Sequence, residues 1–308
     1  MRYGINKQLS LKRSFNKYFY YYLMLLIPIA YILLFRYIPM GGNIIAFRRY
    51  IPGGSIFGQK WVGLMYFKTF FLDSTFWRGL KNTLVLSSLN LTMGFPIPII
   101  FALLLNEITN VKFKKFVQTV SYLPHFLSIV VVVGLLNQLL SPSTGIVNMI
   151  LESLNMQSRH FLAEPQSFRF IYIISDIWQH TGWNAVIYLA ALSNIDVVQY
   201  EAADIDGASK VQKIIHVTIP GIMSVVVITL ILAVGKMLDV GFEKVLLIYN
   251  PLTYETADVI STYVYRVGLN QSNYSYAAAI GLFDAVIGFI LITCANLFAR
   301  KFSETSLW

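Results

Sequence analysis

The chain has 308 residues, of which 56% are hydrophobic and only 13% charged, with a mean hydropathy of +0.61. Soluble domains carry about a quarter charged residues, so this composition leaves too little polar surface for a water-soluble globule and points to a membrane protein with several spans. The net charge of +9 does not read as a nucleic-acid surface, because the basic residues collect near the ends of apolar runs, where they set topology and anchor to headgroups.

The N-terminal tail, residues 1–17, carries Arg2, Lys7, Lys12, Arg13 and Lys17 and leads into an apolar run with no small-residue cleavage site. It reads as a retained signal anchor. Six runs have the roughly 20 residues that a helix needs to cross a hydrocarbon core, at about residues 18–38, 80–105, 120–140, 168–192, 221–238 and 276–299. Tyr18 to Tyr22, Trp61, Trp77, Tyr122 and Tyr276 stand near their ends, where amphipathic rings settle in the interface. The expected fold is an all-α, polytopic bundle of six transmembrane helices forming one domain, residues 18–299, with a C-terminal tail at 300–308. Six spans put both termini on one side. The basic N-terminal tail, the short loop with Lys112, Lys114 and Lys115, and Arg300-Lys301 make that side cytoplasmic. Arg48, Arg49 and Lys244 fall in longer loops on the other side, and long loops cross largely regardless of charge.

The first outside loop, residues 39–77, is rich in Gly, Pro and aromatics without a long periodic stretch. It fits a plain connector, a partly re-entrant structure or a docking surface. Residues 141–165 offer a short amphipathic helix, with Ile146, Met149, Ile150 and Leu154 at helical spacing. Residues 238–273 make the third outside connection. The single cysteine, Cys294, lies in the last span, so no internal disulfide forms, and the four histidines lack ligand spacing for a metal.

Between the fourth and fifth spans lies a polar, amphipathic stretch, residues 193–220, containing EAADIDGASKVQKIIHVTIP. Asp196 with Gln199 three residues on has the form of a capping box, which predicts a helix from Val197 through VVQYEAADI. Gly207 tolerates the left-handed conformation that ends a helix. A second short helix, residues 209–216, then presents Val211, Ile214 and Ile215, and Pro220 suits the first turn of the next span.

Glu201, Ala202, Ala203, Asp206, Gly207, Ala208, Ile214, Val217, Ile219 and Pro220 together resemble the EAA loop of ABC importer permeases. LIPIAYILLFRYIPMGGNIIAFRRY with WVGLMYF, GFEKVLLIYNPLTYETADVISTYVYRVGL and the ending Leu307-Trp308 are similar to the oligosaccharide and polysaccharide permeases of the maltose-type carbohydrate importers, including alginate- and pectin-oligosaccharide types. The resemblance implies the type I ABC importer permease fold, with the loop gripped by a cytoplasmic ATPase through the residues just named. It implies a second, homologous permease subunit, two copies of the ATPase, an external solute-binding protein, and a multi-pass place in the bacterial plasma membrane. The chain has no G-x-x-x-x-G-K-[ST], since Gly235-Lys236 lacks the upstream glycine and the following hydroxyl. ATP and Mg are therefore expected on the partner ATPase, and this chain is expected to bind no cofactor or metal and to be no enzyme.

For the cargo, Asp176, Gln179, His180 and Trp183 fall at i, i+3, i+4 and i+7 of the fourth span, with Asn184 and Tyr188 beside them. Such groups in a membrane line water or find partners, so the stripe fits a sugar-contacting wall or a set of interhelical hydrogen bonds. Asn137, Gln138, Lys236 and Asp239 are weaker candidates, and Lys236 with Asp239, three apart, can simply pair. Asn82 and Asn90 are ambiguous, and Asp284 in the last span is expected to face protein. The alternatives are an ABC permease for an amino acid, peptide or anion, and an intramembrane enzyme with Asp176 and Asp284 as an aspartyl pair. The spans carry few inward cations, and no H-E-x-x-H or G-x-S-x-G occurs. A channel would have no use for the loop.

Overall fold

The computed structural model describes residues 2–302, so the ending Leu307-Trp308 lies outside the described residues, and of the basic N-terminal side chains only Lys17 is described. The described residues are mostly helical. Helix α1, Arg2–Ile32, runs on through a π turn, Leu33–Tyr37, into a helical stretch that reaches Phe47. Its most apolar stretch has no buried residue, and its end, around Ala46 and Phe47, packs into the core.

The first loop is ordered. Strands β1 (Arg48–Arg49) and β2 (Lys60–Trp61) pair antiparallel, Arg48 opposite Trp61. Helix α2, Met65–Leu72, follows. The loop is tied to the far end of the sequence: Ser275 Oγ donates to the Arg48 carbonyl at 2.8 Å and accepts from Tyr50 N–H at 2.9 Å. Asp73 then caps α3, Ser74–Leu89, by accepting from Thr75 N–H at 2.8 Å. Its other oxygen takes the hydroxyls of Tyr263 and Tyr276. One carboxylate thus closes a helix end and clamps two distant segments.

Helix α3 continues through a π turn, Asn90–Gly94, into α4, Pro96–Asn106. Asn110 caps α5, Val111–Tyr122, which runs into a 3-10 turn, Leu123–Phe126, and breaks by 99° before α6, Ile129–Leu139. The short helix expected after it is α7, Ile146–Ser153, pinned by Asn148, whose amide donates to the carbonyls of Ser141 and Arg159. Helix α8, Pro165–Ser193, is the centre of the bundle, packing along α4 and α5. Helix α9 spans Val197–Ile205. Then α10 (Lys210–Lys213), a π turn (Ile214–Thr218) and α11 (Ile219–Gly235) form one continuous helix of 26 residues, which also packs on α8. The separate second loop helix expected at 209–216 is the start of this one: the π turn lets the helix run through Pro220, which lacks a backbone donor.

Residues 238–273, expected as an outside connection, are largely core. They form α12 (Phe242–Ile248), α13 (Tyr254–Ala257) and α14 (Ile260–Tyr265). Val245, Ile248, Ala257 and Val259 pack with Leu86, Val133, Phe168 and Tyr172, while Ile260, Tyr263 and Val267 join Phe70, Phe76 and Tyr276. A third cluster, Ala102, Ala185, Tyr188, Leu192 and Ile222, joins α4, α8 and α11. Helix α15, Tyr274–Phe302, closes the fold against α11 and the first loop.

Among the described residues four helices are long and apolar enough to cross a membrane: Lys17–Phe47, Ser74–Asn106, Lys210–Gly235 and Tyr274–Lys301. Val111–Phe126 with Ile129–Leu139 makes a fifth if the bent pair is one span. Helix α8 occupies the expected fourth span with 29 residues, but Arg169, Asp176, Gln179 and His180 keep it out of that apolar set.

Candidate functional site

A cavity of about 650 Å³ opens between the π turn after α3, the middle of α8, and the stretch from Thr229 to Gly241. Asp176, His180, Trp183, Asn184 and Tyr188 line it from α8, and Lys236 and Asp239 line it from beyond α11. Six of the expected pathway residues are thus brought together, with Asp239 among them. Two are not. At 100° per residue, Gln179 sits on the edge of the stripe away from His180 and Asn184. It is 4% exposed and its amide donates to the Leu127 carbonyl at 3.3 Å, inside the break between α5 and α6. Gln138 lies past that break, where α6 packs on α12 instead of along the cavity.

The stripe divides, some of its residues lining the cavity and others contacting neighbouring helices. Trp183 presents its indole to the cavity while stacking on His125 of the broken segment, with centroids 4.7 Å apart and planes within 2°. Gly182 meets Ser121 backbone so closely that a Cβ would overlap its carbonyl. Tyr188 shares a hydrogen bond with Thr229 at 3.0 Å. Helix α8 grips the helix break with Gln179, Gly182 and the back of Trp183, and turns the remaining groups to the cavity.

Lys244, expected among the outside-loop cations, is instead buried beside the cavity. It is 2% exposed on α12, and its ammonium reaches Asp176 at 3.3 Å and the Tyr172 carbonyl at 3.5 Å, over the Tyr172 ring at 5.1 Å. The available signal was a lone lysine inside the apolar run VGFEKVLLI. Asn90 Nδ2 donates to the same carboxylate at 3.4 Å, and His180 Nδ1, which bonds the Asp176 backbone carbonyl at 3.0 Å, lies 3.4 Å from it. Asp176 and Asp284 do not form a pair: Asp284 lies near Asp239 instead, with one oxygen buried and without a hydrogen-bond partner. Lys236 and Asp239 do not pair either. Among the described residues no ion pair joins them, and Asp239 N–H donates to the Lys236 carbonyl at 2.9 Å. Asn137 bonds its own helix at the Val133 carbonyl, 3.0 Å away. Asn82 is structural, donating to the carbonyls of Glu255 and Asp258 and accepting from Arg169.

At the other end of the 26-residue helix, α9 exposes Glu201, Ala202 and Asp206, with Ala203, Ala208 and Ile214 half-buried and Ile205 87% exposed. Asp196 caps α9 by accepting from Val198 N–H at 3.0 Å. The reciprocal capping box expected with Gln199 forms instead at Ser209 with Gln212, where the following helix starts. Gly207 takes φ +71 in open space, a left-handed turn in which Ala208 N–H closes on the Ala203 carbonyl at 2.9 Å. Asp204 pairs with Lys213, and the Tyr200 hydroxyl shares a bond with Thr218 at 3.0 Å. The exposed helix is thereby bound to the π turn of the long helix, and Pro220 follows that turn.

The family described as "Binding-protein-dependent transport system inner membrane component" matches residues 74–304. The chain is 45% identical over 302 residues to the polygalacturonan/rhamnogalacturonan transport system permease protein YteP of Bacillus subtilis (strain 168), covering 98% of this chain and 94% of that one. Protein LplB of the same organism is 43% identical, covering 99% of this chain and 95% of that one. A chain in the crystal structure of a bacterial alginate ABC transporter, in complex with an alginate pentasaccharide-bound periplasmic protein, superposes with a TM-score of 0.89 at 43% identity, covering 96% of this chain and 99% of that one.

Proposed function

The chain belongs to the inner-membrane components of binding-protein-dependent transport systems, and on that premise we propose that it is the permease subunit of an ATP-driven importer of oligosaccharides. The observation that carries the cargo is the cavity: an indole, an imidazole, an amide and a phenol, from Trp183, His180, Asn184 and Tyr188, converge on about 650 Å³ inside the helices. Sugars are bound by aromatic faces and neutral hydrogen-bonding groups. Relatives at 45% and 43% identity are named for polygalacturonan/rhamnogalacturonan transport and for alginate transport, which supports oligosaccharides over amino acids or peptides. The relatives are permease subunits rather than enzymes.

In this reading α8 and the broken pair count as spans, giving six, with both termini and α9 in the cytoplasm. A second permease completes the cavity, and two copies of a separate ATPase, holding ATP and Mg, seat Glu201, Ala202, Ala203 and their neighbours through Ile214. A binding protein delivers the sugar from outside. Closure of the ATPases tilts α9 and the helix joined to it, and the cavity alternates between the two sides. The test is ATP-dependent uptake by proteoliposomes holding the assembled transporter and its binding protein. Labelled oligosaccharides from polygalacturonan, rhamnogalacturonan or alginate should accumulate, and failure to accumulate any of them overturns the assignment.

A further inference from the structure

We infer that Lys244 is a positioning residue for charge selectivity: it cancels the Asp176 carboxylate in the cavity wall so that the pathway accepts carboxylate-bearing sugars. The inference rests on the oligosaccharide reading above and adds which property of the sugar the wall is built around. Asp176 is the acidic group that α8 turns to the cavity, and its side chain is 19% exposed there. Left alone it would repel an anionic sugar passing through a low-dielectric space. Lys244 stands behind it, 2% exposed and off the cavity lining, with its ammonium 3.3 Å from Asp176 Oδ1.

The arrangement gives Lys244 no route to touch the cargo itself. What it does is set the charge that the cargo meets. Asn90 Nδ2 donates to the same carboxylate at 3.4 Å, and the His180 ring, held by Nδ1 on the Asp176 backbone carbonyl at 3.0 Å, stands 3.4 Å from its Oδ1. The other charges on the lining, Lys236 and Asp239, have opposite signs. With the buried pair cancelled, the wall is close to neutral; with Lys244 neutralised, it carries one net negative charge. A pure packing role for the pair would not distinguish a charged cargo from a neutral one of the same shape.

The experiment compares trigalacturonate with its trimethyl ester, the same sugar without charges, in proteoliposomes holding the complete transporter. In Lys244→Gln the KM for trigalacturonate should rise about tenfold relative to the ester, the repulsion expected of two carboxylates roughly 12 Å apart at an effective dielectric of about 20. Lys244→Arg should keep the wild-type ratio, and Asp176→Asn/Lys244→Gln should restore it. An unchanged ratio in Lys244→Gln, or equal loss for both sugars that the double variant does not repair, overturns the inference while leaving the importer assignment standing. Wild-type transporter that accumulates neither these sugars nor the other oligosaccharides overturns both.

Discussion

Asp176 and Lys244 form an ion pair whose two partners are unequally supported, and that inequality makes a quantitative prediction about stability. In Asp176→Asn the ammonium of Lys244, 2% exposed, loses its counter-charge and keeps neutral acceptors, the new amide oxygen and the Tyr172 carbonyl at 3.5 Å, with the Tyr172 ring at 5.1 Å. A buried charge stripped of its counter-ion costs about 3–5 kcal/mol, and this variant belongs at the upper end. In Lys244→Met the surviving carboxylate is 19% exposed to the cavity and keeps His180 and Asn90, each at 3.4 Å. Water, the Asn90 amide and the nearby His180 ring should hold the loss to about 1–3 kcal/mol. The double variant removes both charges and should sit within about 1 kcal/mol of the parent, because a buried pair is worth little against a neutral replacement of similar size. At about 2 °C per kcal/mol for a chain of this length, thermal unfolding of the purified complex, followed by tryptophan fluorescence, separates the three. A Lys244→Met midpoint as low as that of Asp176→Asn, or a double variant no better than Asp176→Asn, refutes the reasoning.

Three further outcomes test other parts of the fold. Gly182→Leu should destabilise by about 1–3 kcal/mol in thermal unfolding, and Ser121→Gly should not rescue it, because the overlap is with the Ser121 carbonyl rather than its side chain alone. Asp73→Ala should cost about 2–4 kcal/mol, combining a lost helix cap with two phenols deprived of their acceptor; Asp73→Asn should retain most of that. Gly207→Val, forced into φ +71 with no atom near its Cβ, should leave membrane levels intact but lower ATPase stimulation by loaded binding protein, whereas Gly207→Asn, which tolerates that conformation, should keep it.

Much of this fold was legible in the sequence where a residue acts through its own backbone or its own helix face. The limits of α9, its cap at Asp196 and the bend at Gly207 follow from local chemistry, and the structure has all three. Proline was misleading. The sequence reading ended the first span near Pro39 and began the fifth near Pro220, yet both helices continue through those residues. Each of Pro39, Pro96 and Pro220 stands two residues after a π turn, at Leu33–Tyr37, Asn90–Gly94 and Ile214–Thr218. A widened turn accommodates the missing donor and the bulky ring without breaking the helix, and nothing in the residue pattern announces it. The cavity stripe was legible as a period but not as a division of labour. Only the 99° break between α5 and α6, a tertiary event, sends Gln179 into the protein and leaves His180 in the cavity. Lys244 stands out in the sequence only as a lysine in an apolar run; its role is hidden because its counter-ion lies 68 residues earlier in the chain.

The continuity of the helix from Lys210 to Gly235 changes how the proposed coupling has to work. Two independent loop helices could reorient at Gly207 and dissipate a push from an ATPase before it reached the membrane. Here α9 is bound to the long helix twice, by Asp204 with Lys213 and by Tyr200 with Thr218, so Gly207 serves as a fixed corner rather than a free hinge. The long helix has 26 residues, about 39 Å at 1.5 Å per residue, and it carries Thr229, Leu232 and Ala233 to the cavity lining. A tilt imposed at Glu201 is therefore delivered to the cavity by one rigid rod. The π turn, Ile214–Thr218, lies between the two points of attachment, Lys213 and Thr218, so the two contacts brace the part of the rod that is most easily bent. Breaking the Tyr200–Thr218 contact would leave both ends of the rod intact and loosen only the joint between them. On the proposed coupling role, Tyr200→Phe should lower sugar carried per ATP hydrolysed while leaving basal hydrolysis and sugar KM unchanged. An unaltered ratio of transport to hydrolysis would mean that force enters the rod elsewhere.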